Sequence, residues 1–231
     1  MLVVLAGSQD EAAAALAARW NSHETCVLTP EDLSVSGWSY EVRAPSQSLA
    51  VIGGRKVAAK EISGVLTRLP WVAEHDLGHF VPEDRAYAAS EKTAFLLAWL
   101  SGLDCPVLNR PTPGCLSGPC WRAEQWVCLA ARLGMRVSPV RRRAPDDDAV
   151  LAQTPSAEVV VIGNRCVGDV HPYLADCAGS LAKAAGVDLL LVSFDGAERG
   201  SKFLNASPWP DLWANDVSDA ILDYFQRRMK C

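Results

Sequence analysis

Two arginines and an asparagine stand where apolar runs end. Arg68 lies near the end of Ile62–Leu69, and Asn109 and Arg110 follow Cys105–Leu108. In open α/β sheets ligands collect outside the C-terminal ends of the strands. A guanidinium group presents a planar fork of donors that matches a carboxylate or a phosphate. These three residues are therefore candidate contacts for a small anionic ligand. The competing expectation is that the arginines pair with acids such as Glu83 or Asp84.

Other groups that do chemistry elsewhere lack the required spacing here. His75 and His79 would share a face on a helix, but Glu74 lies outside the pair, so the order is not H-E-x-x-H. Cys105, Cys115, Cys120 and Cys128 do not form the close pairs of a structural zinc site. Surface histidines and buried or half-buried thiols are expected, without a metal. Ser117 has no G-x-S-x-G frame. A thiolate at Cys115 or Cys120 would need a base nearby, for which His171 is available only through the fold. Neither a G-x-x-x-x-G-K-[ST] nor a G-x-G-x-x-G string occurs. Gly53-Gly54-Arg55 reads as a hairpin turn, and Gly7-Ser8 as the generic end of a first strand.

The elements that must hold these residues follow from apolar periodicity. Met1–Ala6, Asp10–Trp20 and Cys26–Leu28 read as strand, helix and strand, with Ser8 or Asp10 as N-cap. Such a unit predicts a parallel sheet with a crossover helix. Leu49–Val57 reads as a hairpin turning at Gly53-Gly54, and Ile62–Leu69 as a strand. The spacing predicts helices over Asp84–Leu103, Ala123–Leu133, Tyr173–Ala185 and Asn215–Arg228. Strands are expected over Cys105–Asn109, Met135–Val140, Leu189–Phe194 and Phe203–Asn205. A second hairpin joins Glu158–Ile162 to Arg165–Val167 through Gly163-Asn164. Arg141–Asp148, three arginines and then acids, reads as an exposed connection.

The chain has 231 residues, 49% hydrophobic and 21% charged, which excludes disorder as the dominant state. At roughly 100–200 residues per domain it holds one or two domains. A net charge of −5 argues against a dedicated nucleic-acid binder. Its longest apolar runs are too short to span a bilayer. The first residues read as a buried strand and not as a signal peptide. Eight cysteines in such a chain are expected as reduced thiols, which gives a cytoplasmic localisation.

In order, these segments resemble the ATP-grasp proteins of the ribosomal-modification ligase and peptide-maturase kind. Met1-Leu2-Val3-Val4-Leu5 through Gly64-Val65-Leu66-Thr67-Arg68-Leu69 looks like the Rossmann-like domain that precedes the grasp fold. Glu83–Leu100 and Pro106–Pro111 are similar to that domain's last helix and strand. Trp126–Val137 resembles the helix and strand leading into the nucleotide lobe, and Val159–Gly168 the central hairpin. Ala185–Leu191 through Asp195-Gly196, then Phe203–Pro208, is similar to the closing strands. The implied fold class is α/β: a Rossmann-like pre-ATP-grasp domain over 1–110 and a truncated ATP-grasp-like domain over 111–231.

Such enzymes join a carboxylate to an amine through an acyl phosphate. They need cations for the phosphates and acids for magnesium. The resemblance puts a metal-binding Glu and Asn at Asn205 and Ser207, and an Asp near Ser193, so every expected carboxylate is missing. Only Arg141–Ala157 stand where the family carries a phosphate-binding lysine, a flap and an adenine linker. Without that lid an acyl phosphate would meet water. The leading expectation is a non-catalytic binding or accessory subunit without a cofactor. Its partner would be an ATP-grasp ligase, a second copy through Trp209 and Trp213, or a small anion held by Arg68, Asn109, Arg110, Asn205, Ser207 and Trp209. The alternatives are an ATP- and magnesium-dependent carboxylate–amine ligase with an atypical or shared site, and a thiol enzyme.

Overall fold

The structure, a computed structural model, describes residues 1–138 and 154–228. The expected connection Arg141–Asp148 lies outside the described residues. The chain forms two compact units, one of Met1–Cys120 with Leu212–Cys231 and one of Trp121–Asp211. The first unit thus runs past the boundary expected after Arg110 and takes in the terminal segment.

In the first unit β1 (Leu2–Leu5), α1 (Glu11–Arg19) and β2 (Thr25–Leu28) form the expected crossover. The hairpin β3 (Leu49–Ile52) and β4 (Arg55–Ala58) follows, turning at Gly53 and Gly54 with φ of 56° and 76°. Positive φ at both central residues is what a tight hairpin requires. Then come β5 (Gly64–Thr67), α2 (Pro82–Ser101) and the short β6 (Val107–Leu108). The parallel sheet has the order β2-β1-β5-β6. Every residue of β1 and β5 is buried, as central parallel strands covered on both faces must be. Leu5, Leu28, Val65, Leu96 and Trp99 are at the centre of this core.

The second unit contains α3 (Ala123–Arg132), β7 (Ala157–Ile162), β8 (Arg165–Val167), α4 (Pro172–Ala185), β9 (Leu189–Phe194) and β10 (Phe203–Ser207). Its sheet runs β10-β9-β7-β8, antiparallel throughout. Trp126, Leu174 and Leu181 of the two helices pack with Val159, Val161, Leu190 and Val192 from one face of the sheet. Strand alternation sends Glu158, Ser193 and Asn205 to the other face. The strand expected over Met135–Val140 reduces, among the described residues, to one parallel bridge between Val137 and Phe203. Gly134 turns the chain at φ 81°, and the Met135 N–H donates back to the Ala130 carbonyl, which keeps that residue out of a ladder.

The terminal helix α5 (Asn215–Arg228) returns to the first unit. Its Phe225 ring lies where a side chain on Gly64 would be: a Cβ there would sit 2.5 Å from Phe225 Cδ1. Glycine in β5 is thus a packing requirement, a close approach that no other residue allows.

Candidate functional site

The order β2-β1-β5-β6 places a topological switch between β1 and β5, the usual ligand crevice of an open α/β sheet. Arg68 stands at this point, its N–H donating to the Leu5 carbonyl at 2.7 Å. Its guanidinium is committed to Asp10, with Nε donating to Oδ2 at 2.7 Å and Nη2 to Oδ1 at 3.5 Å. The expected partners Glu83 and Asp84 lie on α2, and the observed one comes from the start of α1. Asp10 also accepts the Ala13 N–H at 3.0 Å and so caps α1. One carboxylate therefore meets both the cation and the helix N-terminus that would otherwise attract an anion. A second carboxylate, Asp76, is 6% exposed and lies 3.4 Å from where a Cβ on Gly7 would be. Two acids make this crevice unfavourable for phosphate.

Asn109 and Arg110 serve the backbone. Asn109 is 2% exposed, accepts Thr67 Oγ1–H at its carbonyl and donates Nδ2–H to the Ser117 carbonyl. Gly118, at φ 99°, passes so close that its Cβ would lie 3.0 Å from Asn109 Cβ. Arg110 folds back onto the carbonyls of Leu103 and Cys105 at 3.1–3.3 Å. Arg68 and Asn109 thus sit at the ends of neighbouring strands, while the Arg110 guanidinium points to the end of α2.

Among the described residues no three histidines, cysteines or acids lie together as a metal would need, and Cys120 and Cys128 are exposed where buried or half-buried thiols were expected. The seven described cysteines are free. Burial pushes the Cys115 thiol up, and that of Cys105 up to about 11, the reverse of what a nucleophile needs. His75 lies in a short 3-10 turn and His79 beyond it, where the Ser34 hydroxyl meets Nε2 at 2.7 Å, so the helical pairing does not arise.

In the second unit the register brings together residues that are far apart in sequence. Glu158 pairs with Ser193, and Ser193 with Asn205, in one row across β7, β9 and β10. Directly paired residues share a face, with Cβ atoms about 4.5–5.5 Å apart. Ser193 Oγ donates to Glu158 Oε1 at 3.2 Å. The next row on that face is Val160, Leu191 and Ser207, and Ser207 Oγ accepts the Trp209 N–H at 3.2 Å. Glu158, which sequence reading passed over, is the one carboxylate in the two rows. Its signal in the sequence was its place on alternate residues from Val159 and Val161. Magnesium demands near-octahedral oxygen ligands and sheds water reluctantly. A single, already bonded carboxylate on β7, with neutral groups on β9 and β10, does not fit a magnesium–nucleotide site with acids on the closing strands.

No family model and no curated protein matches the chain. Solved structures do. It is similar to the ATP-grasp ligase PsnB complexed with a minimal precursor, with a TM-score of 0.63 and 13% identity over 96% of this chain and 98% of that one. It is similar to the macrocyclase MdnC from Microcystis aeruginosa MRC bound with precursor peptide MdnA, with a TM-score of 0.66 and 11% identity over 98% and 99%. A RiPP-associated ATP-grasp ligase of Chryseobacterium gregarium, in complex with ADP and a leader and core peptide, gives 0.66 and 9% over 98% and 96%. The chain thus has the fold of the ATP-grasp ligases.

Proposed function

We propose that this protein is a non-catalytic member of the ATP-grasp fold, acting as a binding or accessory subunit in a peptide- or amino-acid-modifying pathway of the cytoplasm. The observation that carries the reading is the row Glu158–Ser193–Asn205. It holds neutral groups where the resemblance expects carboxylates on β9 and β10. The similar ligases solved with precursor peptides support a peptide, or a ligase that acts on one, as partner. Among the described residues no helix is long and apolar enough to cross a membrane. A small anion at Arg68, Asn109, Arg110, Asn205 and Ser207 remains part of the proposal for Asn205 and Ser207, whose side chains share the open face of one strand.

A second reading, an ATP-dependent carboxylate–amine ligase with an atypical or shared site, is favoured by Glu158, which returns one acid to the row. Purified protein assayed with ATP and magnesium separates the two. The accessory reading predicts no turnover, with or without added precursor-like peptide. Magnesium-dependent ATP hydrolysis that Glu158→Gln abolishes would reject it and establish the ligase. Affinity capture from the native cell should return an ATP-grasp ligase or its peptide.

A further inference from the structure

Away from that row, on the helix-covered side of the second unit, lies a cavity of about 370 Å³. Its floor is apolar and sealed: Met135, Leu174 and Phe194 are 8%, 2% and 1% exposed. Its rim is cationic. Arg136 and Arg199 both line it, and among the described residues no carboxylate does. The Arg136 guanidinium donates from Nη1 to the Gly200 carbonyl at 2.9 Å. The Arg199 guanidinium lies 5.5 Å from the centre of the Tyr173 ring. Neither forms an ion pair among the described residues. Each guanidinium carries five N–H donors, so most of the donors at this mouth have no acceptor in the protein among the described residues.

A dry floor under two cations selects for an apolar body that carries an anionic head. Burying the body against the floor contributes in proportion to area. The forked donors suit the planar or tetrahedral oxygens of carboxylate and phosphate. The Tyr173 phenol also lines the cavity; it is neutral at about pH 7, and the adjacent Cys177 pushes its pKa up. We propose that this cavity binds a small oxyanion, a carboxylate or a phosphate ester, borne on an apolar body, with Arg136 and Arg199 on the head and Leu174 and Phe194 under the body. The proposal uses this unit alone and is independent of the accessory reading.

Calorimetric titration of the full chain with 3-phenylpropionate, phenyl phosphate, inorganic phosphate and 3-phenylpropan-1-ol tests it. At least one of the two aromatic anions should bind at least tenfold more tightly than both the neutral alcohol and inorganic phosphate. Whichever anion wins identifies carboxylate or phosphate ester as the natural head. Arg199→Met should weaken that binding at least tenfold, the loss of a hydrogen bond to a charged group. Arg199→Lys should retain part of it. Bound ligand should also slow alkylation of Cys177, which lines the cavity, relative to the exposed Cys128. If neither anion outbinds the alcohol, or if Arg199→Met and Arg136→Met both bind as wild type while remaining folded by circular dichroism, the site is refuted.

Discussion

Replacing Asp10 separates two jobs that one carboxylate performs. Asparagine keeps an oxygen for the Ala13 N–H, so α1 stays capped, but it removes the charge that faces Arg68. Alanine removes both. An N-cap contributes about 1 kcal/mol. Hydrogen bonds to a charged partner contribute about 1.5–3 kcal/mol. The Asp10 and Arg68 side chains are 20% and 17% exposed, so solvent screening lowers this to roughly 1–2 kcal/mol. Asp10→Asn should therefore cost about 1–2 kcal/mol, and Asp10→Ala about 2–3 kcal/mol. Because the chain has two compact units, a single unfolding midpoint blends their stabilities. Native-state hydrogen exchange resolves them, since each amide reports its own opening free energy. Protection should fall in β1, α1 and β5 and stay unchanged in α4. If both variants lie within about 0.5 kcal/mol of wild type, the pair contributes nothing and its description as a structural tie fails. If the two variants are equally destabilised, Asp10 is not the cap. Inorganic phosphate should protect neither wild type nor Asp10→Ala at this crevice, where Asp76 remains.

Three further outcomes can be measured. The Cys105 thiol is raised by burial from its ordinary 9.0 to about 11. The folded state holds that proton longer, so its contribution is complete below about pH 9 and is lost as pH rises through about 11. The first unit should lose about 2–3 kcal/mol over this window, seen in urea titrations at pH 8 and pH 11, and Cys105→Ala should flatten the fall. Gly168→Ala would place a Cβ 2.3 Å from the Glu158 carbonyl oxygen at φ 148°. Strain and overpacking together predict a loss of about 3–5 kcal/mol, read as lost exchange protection in the β7–β8 hairpin. Gly64→Ala should loosen α5 through the Phe225 ring, at about 1–3 kcal/mol, with the α5 amides exchanging first.

What the sequence determined is local. Both hairpins were legible because Gly53-Gly54 and Gly163-Asn164 follow short continuous apolar runs, and turn chemistry acts over four residues. The helices were legible because apolar spacing and caps lie within a few turns, as at Asp10 and at Gly186, which closes α4 with φ 68°. The order of elements was enough to suggest the fold that the comparisons bear out. What only the tertiary structure decided is pairing. Arg68 meets an acid 58 positions away and not the nearer Glu83 or Asp84, because β1 and β5 lie side by side with β1 near the centre of the sheet. Arg110 turns to the backbone carbonyls of Leu103 and Cys105, in the loop that follows α2. Glu158 joins Ser193 and Asn205 through strand register, and register is set by which face each whole strand buries. Arg136 and Arg199 share one cavity because the Arg136 carbonyl accepts the Phe203 N–H and its guanidinium reaches the Gly200 carbonyl, next to Arg199. Periodicity says which residues face inward; only the packing of those faces against one another says what meets whom.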